Sequence, residues 1–104
     1  QIYYVNLSLE EIITNIIKYS FNDGKEHIIK VVLQLDDNRN IHIEVIDDGI
    51  EFNPFDHPSP DVSKPIEQRE IGGLGIHLVR NCMDYYNYER NNNLNKVVMV
   101  KNIQ

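Results

Sequence analysis

The chain has 104 residues, with 10 Lys plus Arg against 16 Asp plus Glu and a formal net charge of −6. That length suits one domain with one modest core, and the acidic balance argues against a general nucleic-acid or anionic-membrane surface. Hydrophobic residues at 41% and charged residues at 25% exclude a disordered composition. The lone cysteine, Cys82, excludes an internal disulfide and points to a reducing, cytoplasmic setting. No apolar run approaches the ~20 residues of a membrane-spanning helix, and none has the form of a secretory signal.

Ser8 to about Phe21 is predicted to be a helix. Leu9, Ile12, Ile13, Ile16 and Ile17 recur at i, i+3, i+4, i+7 and i+8 and form an apolar stripe. Asn22-Asp23-Gly24 stops it. Ile28 to Leu35 is rich in β-branched residues and predicts a strand, and Asp36 to Asn40 predicts a hairpin turn. Ile41 to Asp47 alternates Ile41, Ile43 and Val45 against His42 and Glu44, as a strand with one buried face does. From Ile50 to Ile71 the chain carries all four of its prolines. A long irregular connection is expected there, functional or mobile in a compact domain. Leu74 to about Asp84 predicts a second helix, with Leu74, Leu78, Val79, Cys82 and Met83 inward. Tyr86-Asn87-Tyr88 and Val97 to Val100 predict a closing strand pair around Asn91-Asn92-Asn93. The order helix, hairpin, loop, helix, hairpin implies an α/β (α+β) two-layer sandwich, its sheet mainly antiparallel and its helices on one face.

Three segments carry candidate chemistry, and each has a plainer reading beside it. Glu11 and Asn15 are four apart and share a helical face with Lys18, opposite the isoleucine stripe. That face is either solvated or a site. Glu11 also completes a capping box with Ser8. As a site, the Asn15 carbonyl oxygen suits Mg²⁺, which takes one or two protein oxygens alongside phosphates, and the Glu11 carboxylate suits a general base. Asp47-Asp48-Gly49 is either a turn or a pocket floor. In a pocket, Asp47 accepts from a base amino group and Gly49 lets the base approach the backbone. Gly72-Gly73-Leu74-Gly75 is either a hinge or a phosphate-facing loop at a helix N-terminus. It matches neither the P-loop nor the dinucleotide fingerprint. The histidines, His27, His42, His57 and His77, show no metal-ligand spacing.

In combination these segments resemble, over nearly the whole chain, the ATP-binding domain of the GHKL (Bergerat-fold) ATPases. Within them the likeness is to the bacterial anti-sigma factor serine kinases. Leu9 to Asn15 is similar to the N box, which implies Glu11 as base and Asn15 as Mg²⁺ ligand, with Lys18 nearby. Ile46 to Pro54 is similar to the adenine-contacting box, which implies Asp47 and Gly49 at the base. Gly72 to Arg80 is similar to the second glycine box, which implies Gly73, Leu74 and Gly75 at the phosphates. The segment from Ile50 to Ile71 would be the ATP lid of a single domain spanning 1–104. Val98 stands where this subgroup has a threonine near the adenine. Ile71 and Glu70 stand where many relatives have an arginine, with Arg69 the nearest candidate. The resemblance also places a strand and a helix before Gln1, in a region tied to homodimer contacts. It implies ATP and Mg²⁺ as cofactors, serine/threonine kinase activity on a STAS-type antagonist, and a sigma factor as the held partner, with no direct nucleic-acid or membrane contact. The alternatives are a non-catalytic nucleotide-dependent binding module and the ATPase domain of a sensor histidine kinase.

Overall fold

A computed structural model describes residues 2–56 and 71–104, the side chains of residues 71–74 excepted. The elements are helix α1 (Ile2–Asn15) with a π-helical turn (Ile16–Ser20), strands β1 (Ile29–Leu35) and β2 (Asn40–Asp47), a short 3-10 turn (Pro54–Asp56), helix α2 (Ile71–Cys82), and strands β3 (Tyr85–Asn91) and β4 (Leu94–Asn102). The expected lid and His57 fall mostly or wholly outside the described residues.

Both hairpins form where the turn chemistry places them. Asp36 Oδ1 accepts from the amides of Asn38 at 2.9 Å and Asn40 at 3.0 Å, and Arg39 takes the left-handed conformation. Asn92 and Asn93 take φ of 53° and 62°, the pair of positive values that a two-residue turn needs to match strand twist. The strands pair in the order β1-β2-β4-β3, and every described pairing is antiparallel. The two hairpins therefore join through their second strands, with Ile43 opposite Met99 and Val45 opposite Val97.

The helices cover one face of this sheet. Ile43 and Val45 of β2 and Val97 and Met99 of β4 meet Val5, Ile12 and Ile16 from the first helical segment and Ile76, Val79 and Met83 from the second. The opposite face is polar at its centre, where Lys96 bridges Glu44 at 3.0 Å and Glu89 at 3.8 Å. β1 departs from this pattern. Val31, Leu33 and Leu35 lie in register with Val45, Ile43 and Ile41, yet all three are exposed.

Several helical expectations are corrected. α1 begins at Ile2, not Ser8, so Ser8 is an interior helical residue and no capping box forms. Its hydroxyl is fully buried and has no partner among the described residues. The buried stripe of α1 runs Val5, Ser8, Ile12, Asn15. Packing of Val5 and Ile12 outweighs the weak helix propensity of the opening residues. The stripe is thus rotated towards Asn15, which is 2% exposed rather than solvated. Beyond Asn15 the backbone widens, with the Phe21 amide bonding the Ile16 carbonyl at 3.2 Å. That change of phase turns Ile17 outward, 55% exposed, instead of into the core. In α2 the buried positions are Ile76 and Val79, followed by Met83, while Leu78 and Cys82 are only half-buried.

Candidate functional site

β2 ends at Asp47, whose side chain is 2% exposed. Its Oδ1 accepts from Ser20 Oγ, the Gly49 amide and Asn95 Nδ2, each at 2.9 Å. Among the described residues no donor faces Oδ2. Asp47 Oδ2 is not among the fully buried atoms that lack a partner, so it stays within reach of a donor from a ligand. The elements that build this arrangement converge from distant parts of the chain. Ser20 closes the π-helical turn, and its hydroxyl also lies 3.0 Å from the Ile50 carbonyl. The Ile50 amide in turn bonds the Ser20 carbonyl at 3.1 Å. Gly49 is needed for this approach. A Cβ there would fall on Ser20 Oγ and lie 2.6 Å from the Ser20 carbonyl oxygen and 2.8 Å from Phe21 Cδ1.

Asn95 sits opposite Asp47 in the β2–β4 register and is itself buried. Its Nδ2 donates to Asp47 and, at 2.7 Å, to the Ile50 carbonyl. Its Oδ1 accepts from the Tyr88 hydroxyl at 2.5 Å, Arg90 Nη1 at 3.1 Å and the Phe52 amide at 3.3 Å. Arg90 Nη1 also donates to the Gly49 carbonyl at 2.8 Å. Burial, with the charge of Glu51 adding to it, pushes the Tyr88 phenol up, which keeps its hydroxyl a donor.

Asn95 is the polar residue that the sequence reading missed. Val98, expected to stand near the base, pairs with Glu44 and lies on the opposite face of the sheet from Val97 and Met99. The available signal was parity. With Val97 and Met99 inward, Asn95 is inward too, a polar residue on an apolar parity.

The second group lies at the α1–α2 contact. Asn15 Nδ2 donates to the Glu11 carbonyl at 2.8 Å and to the Glu11 carboxylate. That leaves Asn15 Oδ1 without a donor among the described residues. Gly75 of α2 receives the Glu11 carboxylate so closely that a Cβ there would coincide with it. The glycine segment is helical, since α2 starts at Ile71, and not a loop ahead of a helix. Its first-turn amides still lack intrahelical acceptors and carry the positive end of the dipole. The two groups are joined through the chain, because the π-helical turn that follows Asn15 delivers Ser20 to Asp47.

The remaining predicted positions are less informative. Lys18 is exposed on the π-helical turn, its ammonium 5.2 Å from the Tyr19 ring centroid. Gly73 and Leu74 belong to α2 by backbone, with the Leu74 side chain outside the described residues, as Arg69 is altogether. No cluster of His, Cys, Asp and Glu with metal-binding geometry occurs among the described residues.

Behind Asp47, His27 packs flat on Phe21, with ring centroids 4.3 Å apart. Its Nε2 lies 2.7 Å from Asp23 and its Nδ1 2.9 Å from Asp48. Two carboxylates on two ring nitrogens require the imidazolium for both bonds to form. Bonding to Asp23 and then Asp48 raises the His27 pKa, and bonding to His27 lowers those of both aspartates.

The family profile of the histidine kinase-like ATPase domain matches residues 1–101. The chain belongs to that family. Within it, the chain is similar to the serine/threonine-protein kinase BtrW of Bordetella bronchiseptica, 24% identical over 95 residues that cover 91% of this chain and 66% of that protein. It is also similar to the serine-protein kinase RsbW of Bacillus cereus, 32% identical over 84 residues, covering 77% of this chain and 51% of that protein. The chain thus spans between about half and two thirds of the length of these relatives. The histidine kinase domain of the Erythrobacter litoralis EL346 blue-light activated histidine kinase superposes with a TM-score of 0.67 at 16% identity, over 95% of this chain and 43% of that one. That likeness establishes the fold of a histidine kinase-like ATPase domain. No helix of the described residues is long and apolar enough to cross a membrane.

Proposed function

We propose that this histidine kinase-like ATPase domain binds ATP through Asp47 and acts as an anti-sigma regulatory serine/threonine kinase. It phosphorylates a STAS-type antagonist protein and holds a sigma factor when that antagonist is absent. The observation that carries the reading is the Asp47 carboxylate, buried, with one oxygen saturated by three donors and the other unpartnered among the described residues. An exocyclic amino group of adenine supplies the missing donor. A 6-oxo purine presents an acceptor instead and is rejected.

The phosphate end is read from Glu11, Asn15 and α2. The Asn15 carbonyl oxygen, free of donors among the described residues, is a fitting ligand for Mg²⁺, which needs only one or two protein oxygens beside phosphate oxygens and water. Held by Asn15, such an ion would supply neutralisation of phosphate charge. The first-turn amides of α2, with Gly73, Leu74 and Gly75, face the phosphates, and Arg69 and Lys18 add positive charge. Glu11 takes the proton of the attacking serine or threonine hydroxyl, a contribution of ~10²–10⁴-fold. The segment 50–71 serves as the ATP lid. Support for the kinase class comes from the likeness to the serine/threonine-protein kinase BtrW and the serine-protein kinase RsbW.

The test is thermal unfolding with Mg-ATP and with Mg-GTP. Saturation at ~100 Kd stabilises by ~2.7 kcal/mol, or about 10 °C or more for a domain of this size. A shift with ATP alone is expected; no shift with either nucleotide on a cooperatively folded sample defeats the reading. Glu11→Ala is then expected to lose phosphotransfer while keeping the ATP shift. A wild-type chain that binds ATP yet transfers no phosphate to any STAS-type substrate leaves a binding module.

A further inference from the structure

The histidine behind Asp47 joins two segments of the chain beside the base end. His27 lies in the connection between the π-helical turn and β1, and its side chain is 10% exposed. Its ring lies flat on Phe21. The Phe21 ring in turn reaches Gly49, where a Cβ would lie 2.8 Å from its Cδ1. The two ring nitrogens of His27 meet Asp23, from the same connection, and Asp48, the residue between Asp47 and Gly49. Each carboxylate also accepts a backbone amide from beside the histidine. Asp23 Oδ1 takes that of Lys25 at 3.0 Å, and Asp48 Oδ1 takes that of Ile28 at 3.2 Å. The Lys25 ammonium is a further charge acting on Asp23. The floor of the base end is thus held from behind twice, at Gly49 through Phe21 and at Asp48 directly. Both holds pass through one imidazole.

We propose that His27 is a proton-controlled clip on the base end: its imidazolium fixes the Asp48-Gly49 turn for nucleotide, and its deprotonation loosens that turn and weakens nucleotide binding. This rests on the assignment of Asp47 as the base-contacting residue and adds regulation of the same site. An imidazolium has two N–H donors and serves both carboxylates, whereas a neutral imidazole has one N–H and one lone pair. With the proton kept on Nε2, Asp48 faces the lone pair. With it kept on Nδ1, Asp23 does, and Asp48 retains a bond that is no longer assisted by opposite charges. The neutral ring therefore holds Asp48 in only one of its tautomers, and more weakly there. Bonding to Asp23 and then Asp48 raises the His27 pKa, so the clip is closed through the ordinary imidazole range and opens as pH rises through the raised value. By reciprocity, bound nucleotide favours the imidazolium to the same degree that the imidazolium favours nucleotide.

The experiment measures Mg-ATP dissociation constants calorimetrically between about pH 6 and about pH 9, on the wild-type chain, on His27→Gln and on Asp48→Asn. Wild-type affinity is expected to fall by about three- to fivefold across that range, the scale of one partly exposed ion pair. His27→Gln has no proton to lose there and is expected to show no such step. Asp48→Asn keeps the histidine but removes the charge it holds, and its step is expected to shrink. A flat wild-type profile, or an equal step in wild type and His27→Gln, overturns the inference and leaves the adenine assignment intact. A step of full size in Asp48→Asn also overturns it, since the histidine charge would then act on the nucleotide without the clip. A wild type that binds no Mg-ATP at any pH defeats the adenine assignment, and this inference with it. If the variants do not unfold cooperatively, the wild type alone decides. Its His27 imidazole is titrated by NMR with and without Mg-ATP, a pKa that rises on binding supporting the inference and an unchanged one overturning it.

Discussion

The base end and the phosphate end of the candidate site are built on different plans. At Asp47 nearly every polar atom already has a partner within the protein. Ser20, Gly49, Asn95, Tyr88 and Arg90 form one connected network, and Asp47 Oδ2 is the atom left over. At Glu11 and Asn15 the described contacts include bonds within α1 and a close approach to Gly75 of α2. A fully satisfied buried network is rigid and exacting, which suits reading a small difference between bases. The Glu11 carboxylate accepts from Asn15 and lies against Gly75, so it is held between the two helices and not by the network around Asp47.

Glycine substitutions break the comparison most directly. Gly49→Ala places a methyl against the Ser20 carbonyl and Phe21, neither of which can yield without unseating Asp47. A loss of about 3 kcal/mol is expected, lowering the midpoint of thermal unfolding by roughly 15 °C. A shift of only a degree or two would mean the base end is far softer than its hydrogen bonds suggest. The nearest atoms that Gly75→Ala meets are those of the Glu11 carboxylate, and alanine is the better helix former by up to about 1 kcal/mol. Stability should therefore change little, and if Glu11 is the base of the proposed kinase, phosphotransfer should fall by ~10²–10⁴-fold. Unaltered transfer would show that the Glu11–Gly75 contact is not part of the catalytic arrangement.

His27 sharpens the comparison from behind the base end. Its pKa is raised in the folded state, so its contribution is complete below the ordinary imidazole value and fades as pH rises through the raised value. Those of Asp23 and Asp48 are lowered, so their contribution is complete above the ordinary carboxylate value and fades as pH falls through the lowered values. The clip is thus fully formed between about pH 4 and pH 6.5. Unfolding midpoints of the wild type and His27→Gln should differ most inside that window and converge above it. A pH-independent difference would assign His27 to packing on Phe21 alone. The smallest effect is expected at Ser8. Its buried hydroxyl has no partner among the described residues, so Ser8→Ala should leave stability unchanged or raise it by up to about 1 kcal/mol. A clear loss in denaturant melts would reveal a bond to a group not yet described.

The strands were legible because their information is local. Alternation fixed the inward face of β2, and Asn-rich and Asp-rich turns fixed both hairpins. Strand alternation did not say what covers a face, so Val31, Leu33 and Leu35 share the parity of the core and stand exposed at the sheet edge. The start of α1 was hidden because Ser8 and Glu11 imitate a cap, while the true stripe includes two polar residues, Ser8 without a partner among the described residues and Asn15 bonded to Glu11 one turn back. Asp47 and Gly49 could be singled out by a turn signal at a strand end. Asn95 could not be placed opposite Asp47 without the register between β2 and β4, which is set by packing of Ile43 and Val45 on Met99 and Val97 rather than by any turn joining those strands. Ser20 was equally hidden, since helical periodicity assumes a constant rotation per residue that the π-helical turn breaks.

That turn has a consequence for chain length. An α-helix advances about 100° per residue, and the segment Ile16–Ser20 holds its residues in a wider loop closed from Phe21 back to Ile16. Removing one residue from this segment would let the helix run on regularly and swing the serine hydroxyl to another side of the axis, out of reach of Asp47. Adding one would overshoot in the opposite sense. The spacing from Asn15 to Ser20 is therefore a quantity held fixed by the site itself. A designer grafting this pocket onto another helix would have to copy the count of residues as well as their identities.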